Sequence, residues 1–383
     1  MPITTIEQSG ITGRVATALF IAWRNLTRER RRWLLSASAL AVAAMIVLFL
    51  EGISRWLEVS STAYLDHSGA QLVVSEKGIE DLLFAQSAFP PGVLAKIREV
   101  PGVRTVDPVV AVNGIVGAGR THLPVYLVGF EPGDGHGPWQ LVSGSAQPHG
   151  AEVVVDRGFA SIANVGVGDN IGLFGHQLRV VGISTGTNAA GDFFLFAPLD
   201  FAQTVAGTQT ISYGLVYLNA GASTSDVIAG INRIGGVEAL SRATIAGNDS
   251  ETITSSFGQP VEILVVVALV AGVLIAGIVL YTATVEHTRD YAVLKALGAG
   301  RIVLYGSALL QSLVLSVCGV LLGWGLAAGV AAALDAWYPV IESNLDIDLV
   351  AKLAGVIIAV NLLAGLLPVR HVRRIDPQEV FKA

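Results

Sequence analysis

Little in this chain could make or break a covalent bond. Its seven histidines, at positions 67, 122, 136, 149, 176, 287 and 371, are scattered, and its one cysteine, Cys318, lies inside a long apolar run. No intramolecular disulfide can form. Neither an H-E-x-x-H zinc helix nor a G-x-S-x-G nucleophile turn occurs. A G-x-x-x-x-G-K-[ST] phosphate loop is also missing, so any ATP that drives this protein is bound by another chain. What remains is a set of polar residues within apolar segments: Gln311, Ser312, Ser316 and Asn361, with Glu51, Glu262 and Lys352 nearer the segment ends. An ionisable residue inside a bilayer is costly and points to function. None of these three charges sits near mid-segment, however, and Lys352 can snorkel to the surface. Gln311 and Asn361 suit hydrogen bonds between helices, with a substrate contact as the alternative. Met45 and Glu51 are candidates for lining a polar entrance to a site between subunits. Six residues turn a helix by about 600°, which leaves them about 120° apart around its axis, and ordinary lining is the simpler expectation.

These residues need apolar elements to carry them. Of 383 residues, 52% are hydrophobic and 14% charged, whereas soluble domains carry about a quarter charged. The chain is an integral membrane protein. A helix needs about 20 residues to cross the hydrocarbon, and four runs suffice, expected as spans at residues 33–54, 260–284, 302–334 and 349–369. The fold class expected is a membrane bundle of four transmembrane helices with one α+β extracytoplasmic domain, residues 55–259, between the first and second. Residues 1–32 form a leader, 285–301 an inner loop, 335–348 an outer loop and 370–383 a tail.

Orientation follows from Lys and Arg beside the spans. The leader carries Arg14, Arg24, Arg28, Arg30, Arg31 and Arg32, the inner loop Arg289, Lys295 and Arg301, and the tail Arg370, Arg373, Arg374 and Lys382. The outer loop has Asp335, Glu342, Asp346 and Asp348 and no Lys or Arg. Both termini are therefore expected in the cytoplasm of a multi-pass protein of the inner (plasma) membrane. A cleavable signal peptide is the competing reading of the first span. Against it stand the length of the run and the position of Glu51 and Arg55 beyond it. Val15, Leu19, Ala22, Trp23 and Leu26 recur at roughly helical spacing among the leader's arginines, as an amphipathic helix at the inner interface would have them. A solvated basic leader is the alternative.

Within the outer domain, strands are expected near residues 71–75, 106–116, 124–130, 152–155, 171–174, 178–183 and 215–218, and helices near 93–100, 157–165, 198–206 and 224–234. Hairpins, rather than long crossovers, are expected to build it. Two helix–glycine–strand segments, near residues 93 and 227, look like copies of one unit. Gly129 to Gly150, with three prolines, reads as a subdomain boundary or a mobile loop. In the third span Gly319, Gly323, Gly325 and Gly329 offer small residues for close helix packing, with Gly319 and Gly323 the pair expected at the contact.

Four segments carry a family resemblance: AWRNLTRERRRWLLSASALAVA from Ala22, LVSGSAQPHGAEVVVDRGFASIANVGVGDNIGL from Leu141, RDYAVLKALGAGRIVLYGSALLQSLVLSVCGVLLGWGLA from Arg289, and LPVRHVRRIDPQEVFKA from Leu367. The chain resembles FtsX-like and MacB-like (type VII) ABC transporter permeases, and among them most the DevC-type exporter permeases. That resemblance implies no cofactor in this chain, with ATP and Mg on a separate ABC ATPase subunit. It further implies a second permease copy as partner, a possible extracytoplasmic adaptor or hydrolase, the lipid bilayer, and no nucleic acid. It places Tyr291, Leu294, Lys295, Leu297 and Gly298 where the family's coupling helix meets the ATPase. On a helical wheel Val293, Leu297, Leu294 and Tyr291 span about 160°, wide enough to dock in a groove, with Asp290 inside that arc. An interfacial turn against lipid headgroups is the alternative. The expected function is ATP-driven export or extraction of a hydrophobic or amphipathic substrate. A signalling subunit that activates a cell-wall hydrolase without transport is the second reading.

Overall fold

The computed structural model describes residues 30–118, 121–133, 136–189, 191–286, 301–337 and 346–372. It divides into two compact units, a helical one and an outer one made chiefly of Ile53–Gln259.

The helical unit draws on four long helices: α1 (Arg30–Ser68), α7 (Gln259–Glu286), α8 (Arg301–Trp337) and α9 (Ile347–Val372). Three stretches among the described residues are long and apolar enough to cross a membrane: Trp33–Ser68, Arg242–Ile275 and Leu309–Asp335. The fourth expected span, 349–369, lies within α9 but is not one of these three. Helix α1 also runs beyond the expected end at residue 54, and residues 53–68 belong to the outer unit. Two of the bundle's contacts are set by missing side chains. A Cβ on Gly323 would lie 2.7 Å from the Ala41 carbonyl oxygen and 2.7 Å from Ala44 Cβ, and one on Gly319 would lie 2.8 Å from Leu40. A Cβ on Gly272 of α7 would lie 3.1 Å from Ala43, a looser contact. Hydrocarbon gives helices no hydrophobic reason to associate, so such close backbone approach supplies the attraction. Ala44, Val47, Val265, Ala268, Val320 and Ile357 fill the centre.

The outer unit is α+β. Its strands are β1 (Leu72–Glu76), β2 (Val103–Ala118), β3 (Thr121–Phe130), β4 (Leu141–Gly144), β5 (Glu152–Asp156), β6 (Asn170–Leu173), β7 (His176–Ser184), β8 (Asn188–Ala189), β9 (Asp192–Pro198), β10 (Tyr213–Leu218) and β11 (Val237–Ser241). They join in one sheet of order β11-β1-β10-β2-β3-β9-β5-β7-β4, with β6 on β7 and β8 on β9. Hairpins alone do not build it, because β3–β9 and β5–β7 pair parallel. The segment expected as a boundary contains β4 and lies wholly inside this unit.

Side chains alternate between two cores, as a pleated strand requires. Leu72 and Val74, Val153 and Val155, and Phe193, Leu195 and Ala197 face one core. That core is covered by α2 (Gly92–Arg98), α3 (Arg157–Ala163), α4 (Leu199–Ala206) and α5 (Thr224–Asn232). Val73, Val154, Phe194 and Phe196 face the other, against Tyr64 and Leu65 near the end of α1 and Ile245 of α6 (Arg242–Ile253). Burial on both faces explains the unbroken apolar run of β9, which shows no alternation to read.

At the sheet's edge, Gly144 pairs with Gly182 at a φ of +83°, and a Cβ there would lie 2.1 Å from the Val181 carbonyl oxygen. A side chain meets both left-handed backbone, at about 1–2 kcal/mol, and a main-chain atom that cannot rotate aside. Gly144→Ala is expected to detach β4 locally. Faster amide exchange across residues 141–147, with the remaining strands unchanged, is the reading that checks it.

Candidate functional site

The residues that tie the ends of the long helices to the sheet form two clusters, both within the outer unit. At the end of α1, the Tyr217 hydroxyl of β10 donates to the Ser68 carbonyl at 2.6 Å. His136 bridges that hydroxyl, 2.9 Å from Nδ1, and Asp107 of β2, whose Oδ2 is 2.6 Å from Nε2. Arg104 lies over the Tyr217 ring at 5.6 Å. Trp139 stacks on His67 with centroids 4.7 Å apart and planes at 10°, and also meets Tyr64. Carboxylate, imidazole and hydroxyl stand in a row, but the hydroxyl is committed to Ser68 and His136 is 5% exposed. This is a clasp on the helix end, not a nucleophile.

The second cluster holds α6, which leads through the π-turn Thr254–Gly258 into α7. Asp249 of α6 is fully buried, and its Oδ1 accepts from the backbone N–H groups of Leu82 and Leu83 at 3.0 and 3.2 Å. Its Oδ2 has no partner. The Leu82 carbonyl in turn accepts from the hydroxyls of Tyr126 and Tyr213, at 2.6 and 3.1 Å, and Asn248 Nδ2 donates to the Glu80 carbonyl. Burial pushes the Asp249 carboxyl up to about 7; the two backbone N–H groups pull it down and the nearby Asp81 raises it further. Burial also raises the phenols of Tyr64, Tyr126 and Tyr213.

Among the described residues no group of three or more His, Cys, Asp or Glu is placed to hold a metal ion. Tyr291, Leu294, Lys295, Leu297 and Gly298 lie outside the described residues. Met45 is half-buried and packs on the Leu48, Ala327 and Val350 cluster, while Glu51 stands half-buried further along the same helix. Ser312 Oγ donates to the Asn361 carbonyl at 3.0 Å, joining α8 to α9, and Gln311 Nε2 and Asn361 Oδ1 have no partner. Gly319 and Gly323 are buried against α1, while Gly325 and Gly329 face open space.

Sequence reasoning passed over His136, Trp139, Tyr217 and Asp249. For Tyr213 and Tyr217 a signal existed, since two hydroxyl-bearing aromatics four residues apart share one face of a strand. For Asp249 there was none: AGNDSET reads as a solvated helix face.

Residues 33–234 match the MacB-like periplasmic core domain family, and residues 262–377 the FtsX-like permease C-terminal family. The uncharacterized ABC transporter permease Rv0072 of Mycobacterium tuberculosis H37Rv is 25% identical over 371 residues, 95% of this chain and 99% of that one. Mb2592 of Mycobacterium bovis, described in the same words, is 26% identical over 372 residues, again 95% and 99%. Among solved structures, the periplasmic region of MacB from Actinobacillus actinomycetemcomitans aligns at 16% identity and a TM-score of 0.37, covering 47% of this chain and 92% of that one. The extracellular domain of the noncanonical ABC-type transporter YknZ from Gram-positive bacteria aligns at 13% identity and a TM-score of 0.36, covering 45% and 100%.

Proposed function

Because the chain belongs to the ABC transporter permeases that join a MacB-like periplasmic core domain to an FtsX-like C-terminal region, we propose that it is the membrane subunit of an ATP-driven exporter. A separate ATPase chain, carrying ATP and Mg, docks on the inner loop through Tyr291, Leu294, Lys295, Leu297 and Gly298. Four spans place both termini in the cytoplasm and the large domain outside. A second copy of the chain completes the assembly, and the substrate is hydrophobic or amphipathic. One observation carries this reading: a short basic segment separates two long apolar helices in a sequence that has no phosphate loop of its own, and a helix over that segment would gather its apolar residues on one face. The clasps at Ser68 and Asp249 support it, since they fasten the outer domain at the two places where a pull would arrive.

The purified chain is expected to hydrolyse no ATP, and to co-purify with an ATPase chain that does. Leu294→Asp sets a charge in the docking face, where an unpaired buried charge costs several kcal/mol. Recovery of the ATPase should fall about tenfold or more, with insertion unchanged. ATP hydrolysis by the lone chain, or full recovery with the variant, would overturn the assignment.

A further inference from the structure

We propose that Asp249 is a proton-sensitive latch, holding the helix that precedes the second span to the loop at residues 80–85 and loosening its hold as the carboxyl ionises.

The geometry favours the neutral form. Asp249 is fully buried, and no partner reaches its Oδ2, so an ionised carboxylate would leave charge density facing apolar surroundings. The groups around it bring no compensating cation. From its own helix comes Asn248, bonded to the Glu80 carbonyl; from the loop come Asp81 and the backbone N–H groups of Leu82 and Leu83; from the sheet come Tyr126 and Tyr213. Asp192, beside Tyr126, is a further acid. Each charged group here is negative when ionised; the Leu82 and Leu83 N–H groups favour a carboxylate, but burial outweighs them.

The latch joins a loop to a helix. Leu82 and Leu83 belong to no strand or helix, and the loop is fastened by its carbonyls to Tyr126, Tyr213 and Asn248 and by its N–H groups to Asp249. On the other side, α6 gives way to the π-turn, where Phe257 stands half-exposed. Releasing Asp249 leaves α6 on the loop through the Asn248–Glu80 bond and the packing of Ile245, so its hold loosens without breaking a strand pairing. That the release alters force transfer from the second span rests on the permease reading; the latch itself does not.

The sign follows from linkage. The docked carboxyl titrates near 7 and an undocked one near the ordinary 3.8. Docking is therefore at full strength below about pH 4, weakens as pH rises from there to about 7, and stays weak above.

Hydrogen–deuterium exchange of the full chain in lipid nanodiscs tests this, read on peptides covering residues 80–85 and 242–253 and corrected for intrinsic rates. Wild-type protection is expected to fall between pH 5 and 7 and level off above. Asp249→Asn keeps an acceptor for Leu82 and Leu83 but cannot ionise, and should hold protection flat, at pH 8 tenfold or more above wild type. Asp81→Asn removes the like charge and should move the levelling point to lower pH, a result that stands even if the first variant fails to fold. Flat wild-type protection, an unaltered slope in Asp249→Asn, or an unmoved levelling point in Asp81→Asn would each overturn the latch. None of these readings involves an ATPase, so failure here is distinct from failure of the permease assignment.

Discussion

Gly323→Leu is expected to cost the helical unit about 3 kcal/mol, visible as a lower midpoint of thermal unfolding in detergent and a reduced yield of dispersed protein. At Gly323 even a first carbon would meet the Ala41 carbonyl oxygen and Ala44 Cβ at 2.7 Å and the Met45 backbone nitrogen at 3.0 Å. Two of those three atoms are main chain of α1, so no rotamer relieves the contact. The helices must part, and every close contact above and below is weakened together. Gly319 is more forgiving because its neighbour is the Leu40 side chain. Gly329→Ala is the matched control, since nothing lies within 4 Å of it. Equal midpoints for Gly323→Leu and Gly329→Ala would mean that α1 and α8 do not meet at this crossing.

Asp156→Ala is the second large effect, about 3–5 kcal/mol in the outer unit from three buried donors losing their acceptor. The carboxylate caps α3 by accepting from Gly158 N–H at 2.7 Å, and it accepts from the Thr187 hydroxyl at 2.7 Å and Thr187 N–H at 3.3 Å. Thr187 in turn lies 2.6 Å from the Ser184 hydroxyl. One residue thereby fixes a helix start and the turn beyond β7. Asp156→Asn keeps a carbonyl acceptor and should recover about half of the loss. Limited proteolysis in the native membrane reads the outer unit alone, which a single unfolding curve of a two-unit chain would not. Unchanged cleavage rates in Asp156→Ala would refute this account.

Span-sized apolar runs and the basic flanks were plain in the sequence because the bilayer imposes length and charge on each segment separately. Much of the sheet was plain as well where strands alternate or end on glycine. Strand β9 was not, since Phe193 to Ala197 are all apolar and both faces are buried. Helix α6 was passed over because its exposed residues outnumber Ile245, Asp249 and Ile253. The four glycines of the third span show the limit most clearly. Their spacing announces a packing surface, yet Gly319 and Gly323 pack on α1 while Gly325 and Gly329 do not, and only the rotation of the helix tells them apart. The clasp residues were illegible for a different reason. His136, Tyr217 and Ser68 are 68 to 149 positions apart and meet only through the sheet.

The position of β1 dictates an order of events during synthesis. It is the first strand made, yet it lies between β10 and β11, pairing Leu72 with Val216 on one side and Ser241 on the other. The sheet cannot close until the chain has been delivered as far as residue 241, some twenty residues before the second hydrophobic segment begins. Contacts so distant in sequence form slowly. β1 therefore waits for β10 to pair on one side and keeps its other edge open until β11 arrives, and the last extracytoplasmic strand to emerge is the one that completes the sheet.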